Sequence, residues 1–187
     1  MRVIAGTARS LPLKTPEGTD TRPTTDRIKE TLFNMLQPYL MDCVFIDLFS
    51  GSGGIGIEAL SRGARHAYFV ENNRNAISCI QHNIAFTKMG EKATLLKQDV
   101  FGALSLIREK EADIVFLDPP YGEGYERKAL ALLADKPYVT ERTWIVIEAE
   151  LMEDFSFVGE LGFEIEKEKR YKSNKHVFVR KEQGEKG

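Results

Sequence analysis

The sequence predicts an α/β domain: a mostly parallel seven-stranded sheet with helices on both faces, an antiparallel hairpin at its C-terminal end and a short N-terminal arm. Three observations predict it. Short apolar runs alternate with helical patterns from Val44 to about Ala149, the order produced by strand–helix–strand units. A glycine-rich turn follows the first run, with Gly51, Gly53 and Gly56 at G-x-G-x-x-G spacing. Residues 162–169 and 175–181 flank Ser173-Asn174 and read as a hairpin.

In chain order, residues 1–21 carry the turn formers Gly6, Pro12, Pro16 and Gly18, which predict an arm or small hairpin. Thr24 or Thr25 then caps a helix running to about Gln37, with Ile28, Leu32, Met35 and Leu36 on its buried side. The parallel strands are expected at 44–48, 67–70, 93–96, 112–117 and 143–147, where aliphatic and aromatic residues dominate. Residues 55–62 read as a helix that presents Ile55, Ala59 and Leu60 on one side and stops at Gly63. Ala76, Ile77, Ile80 and Ile84 form the stripe of another helix, and a further helical pattern covers 101–109. A chain of 187 residues fits one domain. Its expected parts are the arm 1–21, a catalytic core 22–181 and a disordered tail 182–187.

Four consecutive strands each end at an acid: Asp47, Glu71, Asp99 and Asp118. All four therefore fall at the carboxyl edge of one sheet, where open α/β folds bind ligands. The glycines allow a tight turn and let a ligand approach backbone where a Cβ would collide. Glu71 stands near the position from which an acid holds a ribose diol. Its alternative is the solvated end of a strand, with Asn72 and Asn73 as helix caps. Asp99, followed by Val100, suits either an acceptor for an adenine amine or the cap of the next helix. Asp118-Pro119-Pro120-Tyr121 is the most informative segment. The prolines fix their own φ and constrain the residue before each, so the carboxylate and the turn carbonyls hold set directions that suit an exocyclic NH2 group. The plain alternative is a strand terminated by two prolines.

With Arg22-Pro23-Thr24-Thr25-Asp26-Arg27-Ile28-Lys29-Glu30-Thr31-Leu32-Phe33-Asn34 and Asp47-Leu48-Phe49-Ser50-Gly51-Ser52-Gly53 continuing to Ala64, the chain resembles a class I S-adenosylmethionine-dependent methyltransferase. More narrowly it resembles the RsmD family, the small-subunit rRNA guanine-N2 methyltransferases. The resemblance implies a fold, a cofactor and a site. Asp47, Phe49, Gly51 and Gly53 would hold the methionine part of S-adenosylmethionine, Glu71 and Asn72 the ribose, Asp99 and Val100 the adenine, with Arg22 and Thr24 closing over the cofactor or shaping the substrate pocket. Asp118, Pro119, Pro120 and Tyr121 would grip an extruded guanine of 16S rRNA. The chain departs from the family at Arg9-Ser10-Leu11, where a more basic Arg-Gly-Arg-like run is expected.

The net charge of −2 argues against a protein that coats itself in nucleic acid. Its distribution is uneven: residues 161–187 carry eight Lys or Arg against five acids, whereas 40–160 carry 12 against 19. Arg170, Lys172 and Lys175 cluster with Tyr171 and His176, so these cations and Arg9 are the candidate RNA contacts. Their alternative is the solvated face of a hairpin. Cys43, Cys79 and the three histidines show no ligand spacing, so no metal is expected. No run is long enough to span a bilayer or form a signal peptide, which places the protein in the cytoplasm, expected as a monomer acting on small-subunit rRNA or the assembled 30S subunit. The residues alone leave open a methyltransferase for another amine, adenine N6 among them, an NAD-linked oxidoreductase using the same glycines and Glu71, and a non-catalytic RNA-binding module.

Overall fold

The computed structural model describes residues 1–16 and 25–184. The elements follow in the order α1 (Asp26–Leu40), β1 (Val44–Asp47), α2 (Gly54–Ser61), β2 (His66–Val70), α3 (Arg74–Phe86), β3 (Ala93–Leu96), α4 (Val100–Ala103), β4 (Ile114–Leu117), α5 (Tyr125–Ala134), β5 (Trp144–Glu150), β6 (Phe163–Arg170) and β7 (Asn174–Lys181). The seven strands form one sheet in the order β3-β2-β1-β4-β5-β7-β6. The first five run parallel, and β7 enters antiparallel between β5 and β6.

Side chains alternate along each strand, so each face of the sheet gains its own core. Val44, Ile46, Tyr68, Val115 and Ile147 pack with α4 and α5 through Val100, Ala103, Leu130 and Leu133. Phe45, Phe69, Phe116, Val146 and Phe178 pack on the other face with Leu32, Phe33 and Leu36 of α1, Ile57 of α2 and Ile80 of α3. Every residue of β1 and β4 is buried, as expected for central strands covered on both sides.

The arm is a small hairpin, with a bridge between Arg2 and Pro12 and backbone bonds from Val3 N to Leu11 O and Leu13 N to Met1 O. Its attachment uses buried polar groups that apolar periodicity does not reveal. Glu58 of α2 is fully buried and accepts from the backbone N–H groups of Ile4 and Ala5, while pairing with Lys29 of α1 at 3.4 Å and Arg62 at 2.8 Å. Lys29 also donates to the carbonyl of Arg2, and burial lowers its ammonium pKa despite the opposing pull of Glu58. Asn83 of α3 brackets Lys14, accepting from its N–H and donating to its carbonyl, and donates also to Ser52 O in the glycine-rich loop.

Three boundaries differ from the sequence expectation by three residues or more, the first being β5, expected to end at Ile147 and found to run on to Glu150. Thr25 caps α1 through its side chain as expected, yet the helix passes Pro38 and ends at Leu40 rather than near Gln37. Pro38 lacks one donor, but fully buried Leu40 holds the last turn in the core. The pattern at 101–109 yields only the single turn of α4; Ser105 and Leu106 then make i→i+3 bonds to Gly102 and Ala103, while Leu104 and Ile107 stay buried. The apolar spacing marked burial there, not a continuing helix.

Replacing Glu58 with alanine leaves the Lys29 ammonium buried without its counter-ion, so urea unfolding is expected to show a loss of about 3–5 kcal/mol. A loss of only about 0–1 kcal/mol, the range of an exposed pair, would contradict that role.

Candidate active site

Strand order reverses at β1, which is followed by β2 and β3 on one side and flanked by β4 and β5 on the other. Ligands in open α/β sheets bind at this switch, outside the carboxyl ends of the strands. Asp47 and Asp118 end the two strands that meet there.

Asp47 is buried and accepts the N–H of Gly56 in the first turn of α2 at 3.2 Å through Oδ2, whereas its Oδ1 has no hydrogen-bond partner among the described residues. Burial raises its pKa to about 7, the Gly56 N–H pulls it down, and Glu71 pushes it up. The loop turns through positive φ at Gly51 and Gly53, the latter capping α2 in the left-handed region. Gly56 serves packing: a Cβ there would sit 2.4 Å from the Phe69 ring. Glu71 accepts the N–H of Gly51 at 2.9 Å on Oε2 and those of Asn72 and Asn73 on Oε1, which clamps the loop to the end of β2 and leaves a lone pair on Oε2.

Asp99 is exposed and caps α4, its Oδ1 accepting from Gly102 N at 3.0 Å; Oδ2 is the oxygen left for a ligand. Val100 is buried beneath it. Phe49 stacks toward Tyr125 with ring centroids 5.8 Å apart, and Tyr125 in turn meets Phe101 at 5.7 Å, an apolar wall between the ends of β1 and β3. Asp118 is half-buried and directly follows β4; burial, with the like charges of Glu148 and Asp47, holds its carboxyl well above the usual carboxylate range. Pro119 is buried, Pro120 is exposed, and Tyr121 is 41% exposed, so the aromatic ring is presented at the surface of the shelf.

These residues fit S-adenosylmethionine. A buried carboxylate oxygen with no donor among the described residues suits an ammonium group, the space beside Gly51 leaves room for a ligand against the loop, and the Glu71 lone pair suits a ribose hydroxyl. Among the described residues no cluster of His, Cys, Asp and Glu could hold a metal ion.

The family described as conserved hypothetical protein 95 matches residues 1–180. Bacillus subtilis YlbH is 41% identical over 150 residues, 79% of this chain and 82% of that protein. Ribosomal RNA small subunit methyltransferase D of Escherichia coli K12 is 36% identical over 153 residues, 81% and 75% of the two chains. The solved structure of Escherichia coli yhhF superposes with a TM-score of 0.84 at 33% identity, covering 97% of this chain and 98% of that one.

The chain belongs to the RsmD family.

RsmD membership decides between the readings of the chain: the fold is that of a class I methyltransferase, and the enzyme is an RNA methyltransferase, not a dehydrogenase or a passive binding module. Arg22 and Thr24 lie outside the described residues. Arg9 is exposed at the tip of the arm hairpin, where Ala8 N bonds Ser61 Oγ at the last turn of α2, away from the glycine loop. Lys172 is exposed in the β6–β7 turn. Arg170 is exposed but paired with Glu168 and the carbonyl of Leu151. Lys175 requires a correction. It is buried, with Nζ bonded to Glu153 O at 2.9 Å and Glu168 at 3.1 Å, so it braces the loop after β5 instead of facing RNA. Cation density alone does not distinguish a brace from a contact surface.

Sequence reasoning missed Glu148 and His176. Glu148 is buried next to the Asp118 strand end, and His176 is fully buried with Nε2 3.0 Å from Glu148 Oε2. The available signal was an acid, Glu148, directly after the apolar run 143–147, the same placement that singled out Asp47 and Asp118; β5 in fact continues to Glu150.

Asp47 carries a pH dependence. Unfolded, it titrates near about 4; folded, near about 7. The folded chain therefore holds the extra proton in between, and the stability contributed by this group is full below the unfolded value and lost as pH rises through the folded one. Thermal unfolding of the ligand-free protein is expected to shift to lower temperature from pH 5 to 8. Asp47→Asn should flatten that slope and weaken calorimetric binding of S-adenosylhomocysteine; an unchanged slope in the variant would refute the assignment.

Proposed function

We propose that the protein transfers a methyl group from S-adenosylmethionine to the exocyclic N2 of a guanine in small-subunit ribosomal RNA, acting as a monomer in the cytoplasm on the rRNA free or within the 30S subunit. The observation that supports it most is the Asp118-Pro119-Pro120-Tyr121 shelf beside Asp47 at the sheet switch point, in a chain 36% identical to ribosomal RNA small subunit methyltransferase D over most of its length. No described helix is long and apolar enough to cross a membrane.

On this reading Asp47 holds the amino group of the cofactor, Glu71 the ribose and Asp99 the adenine edge, with Phe49, Gly51, Gly53, Asn72 and Val100 lining the cavity. Bound cofactor supplies an electrophilic methyl group, to which the amine lone pair forms the new N–C bond while the C–S electron pair leaves on sulfur. The residues of this chain do the rest. Guanine N2 is a weak nucleophile because its lone pair is shared with the ring. Acceptance of its N–H bonds by the Asp118 carboxylate and the Pro119 carbonyl turns the amine so that the lone pair faces the incoming carbon at near-attack distance. As positive charge grows on N2, a fixed carboxylate stabilises it. Tyr121 stacks on the extruded base, a contact worth about 1–3 kcal/mol, and the base leaves its own stack to reach it.

Asp118→Asn is expected to lower kcat by roughly 10²–10⁴-fold while calorimetric binding of S-adenosylhomocysteine stays within about twofold. Digestion of small-subunit rRNA after incubation with labelled S-adenosylmethionine should place the label in N2-methylguanosine by mass spectrometry. Label found only in N6-methyladenosine overturns the choice of base, and full activity of the variant overturns the role of the shelf.

A further inference from the structure

The three strands beyond the switch point align one residue each at the active edge. Parallel pairing sets Leu117 opposite Ile147, so the next residues, Asp118 and Glu148, stand side by side; antiparallel pairing sets Glu148 opposite His176. All three share the face of Phe116, Val146 and Phe178, and the His176 ring meets that of Phe116 edge-on at 6.1 Å. Glu148 is not free to turn. Its Oε1 accepts from Asn174 Nδ2 at 2.6 Å and its Oε2 contacts His176 Nε2 at 3.0 Å. His176 Nδ1 contacts the Tyr171 hydroxyl at 3.0 Å. With a carboxylate on one side, Nε2 carries the ring proton and Nδ1 accepts from the phenol.

We propose that Glu148 is a positioning residue for methyl transfer, its carboxylate fixed beside Asp118 by Asn174 and His176 so that Asp118 is the base that takes the N2 proton. The inference rests on the reading of Asp118 given above. When N2 gains its methyl group it carries a positive charge; one N–H proton then passes to an Asp118 oxygen, leaving a neutral secondary amine and a neutral carboxyl. A second negative charge alongside makes Asp118 a stronger proton acceptor at that moment, and an acceptor poised close to the working pH is the efficient one. The groups facing Asp118 are Glu148 from β5 and Asp47 from β1, and both raise its pKa after burial has done so. Facing Glu148 are Asp118, the Tyr121 hydroxyl, and from β7 His176 and Asn174, with Tyr171 behind the imidazole. Glu126 and Glu150 act on Tyr121. Lys175 belongs to the opposite face, where its ammonium is taken by Glu168 and the Glu153 carbonyl, so it does not offset the row.

The sign follows directly. Activity needs ionised Asp118 and falls as pH falls through its pKa; removing the neighbouring negative charge lowers that pKa. Glu148→Gln, which keeps an acceptor and the shape of the side chain, is expected to move the acid limb of the kcat–pH profile to lower pH by on the order of one unit, to lower kcat on the plateau, and to leave the KM for S-adenosylmethionine unchanged. Glu148→Asp should restore the limb toward its original position. Because a substitution at buried Glu148 also costs folding stability, the intact protein supplies a second measurement: carbon-13 NMR of labelled Asp carboxyls, with Asp118 assigned by its loss in Asp118→Asn, is expected to show Asp118 titrating above the usual range with a second inflection from its neighbour. An unshifted acid limb in Glu148→Gln, or an Asp118 resonance titrating as an ordinary carboxylate, overturns this inference. If Asp118→Asn is inactive in either case, the role of the shelf survives and only the part given to Glu148 fails; if Asp118→Asn is fully active, the shelf itself fails.

Discussion

Like charges are crowded along one edge of the sheet. Parallel register sets Asp118 beside Glu148 across β4 and β5 and Asp47 of β1 opposite Phe116, two residues before Asp118 on the same face, and the described residues supply only the N–H of Gly56 to Asp47 and the side chains of Asn174 and His176 to Glu148. Burial is the first cause that pushes Asp47 and Asp118 upward, and repulsion from a neighbouring carboxylate adds to it, Glu71 acting on Asp47 and Glu148 with Asp47 acting on Asp118. A cationic ligand relieves that repulsion, and a neutral one does not. The edge is thus complementary to the charge of a sulfonium donor and to the charge that grows on an amine under attack.

An edge that costs stability has to be carried by the rest of the molecule. Two apolar faces do most of this, with fully buried Phe33, Phe45, Phe69 and Phe116 among the largest contributors, each side chain worth roughly 1.5–3 kcal/mol when removed from water. The buried Lys29–Glu58–Arg62 group does something different: it fixes orientation. Glu58 takes two backbone donors from the arm and two side-chain cations, so the arm, α1 and α2 share one set of partners. Asn83 repeats the device at the other end of the hairpin, where it joins Lys14 to the carbonyl of Ser52. The arm is therefore tied both to the end of α2 and to the loop at its start.

What was legible in the sequence follows from range. The strand ends Asp47, Glu71 and Asp118 were readable because each acid closes an apolar run, and the glycine spacing marks the turn that follows the first. Asp99 was readable as an acid at a strand end, and its cap on Gly102 is a local interaction of three residues. Lys175 misled because a run of cations looks the same whether its members face water or reach back to Glu168 and a carbonyl. Glu148 and His176 were hidden for the opposite reason. Their meaning lies in lateral register between strands 28 residues apart in the chain, and apolar periodicity carries no record of which strand will lie next to which. Lys29 and Glu58 share that property: both sit among residues that read as surface positions of helices.

The place of β7 in the sheet explains why the row ends in a histidine. A seventh parallel strand beside β5 would bring its C-terminal end to the active edge and its preceding turn to the opposite side. Because β7 runs antiparallel, its first residues reach the active edge, and the turn from β6 arrives there too. Asn174, His176 and Tyr171 thereby come from one short segment, the first two bonding Glu148 and Tyr171 bonding the His176 ring behind them. The hairpin is then more than an edge protector. It sets the hydrogen bonding of the carboxylate that stands beside Asp118, and through the His176 ring it reaches Phe116 of β4, so a strand outside the parallel set shapes the surroundings of Asp118.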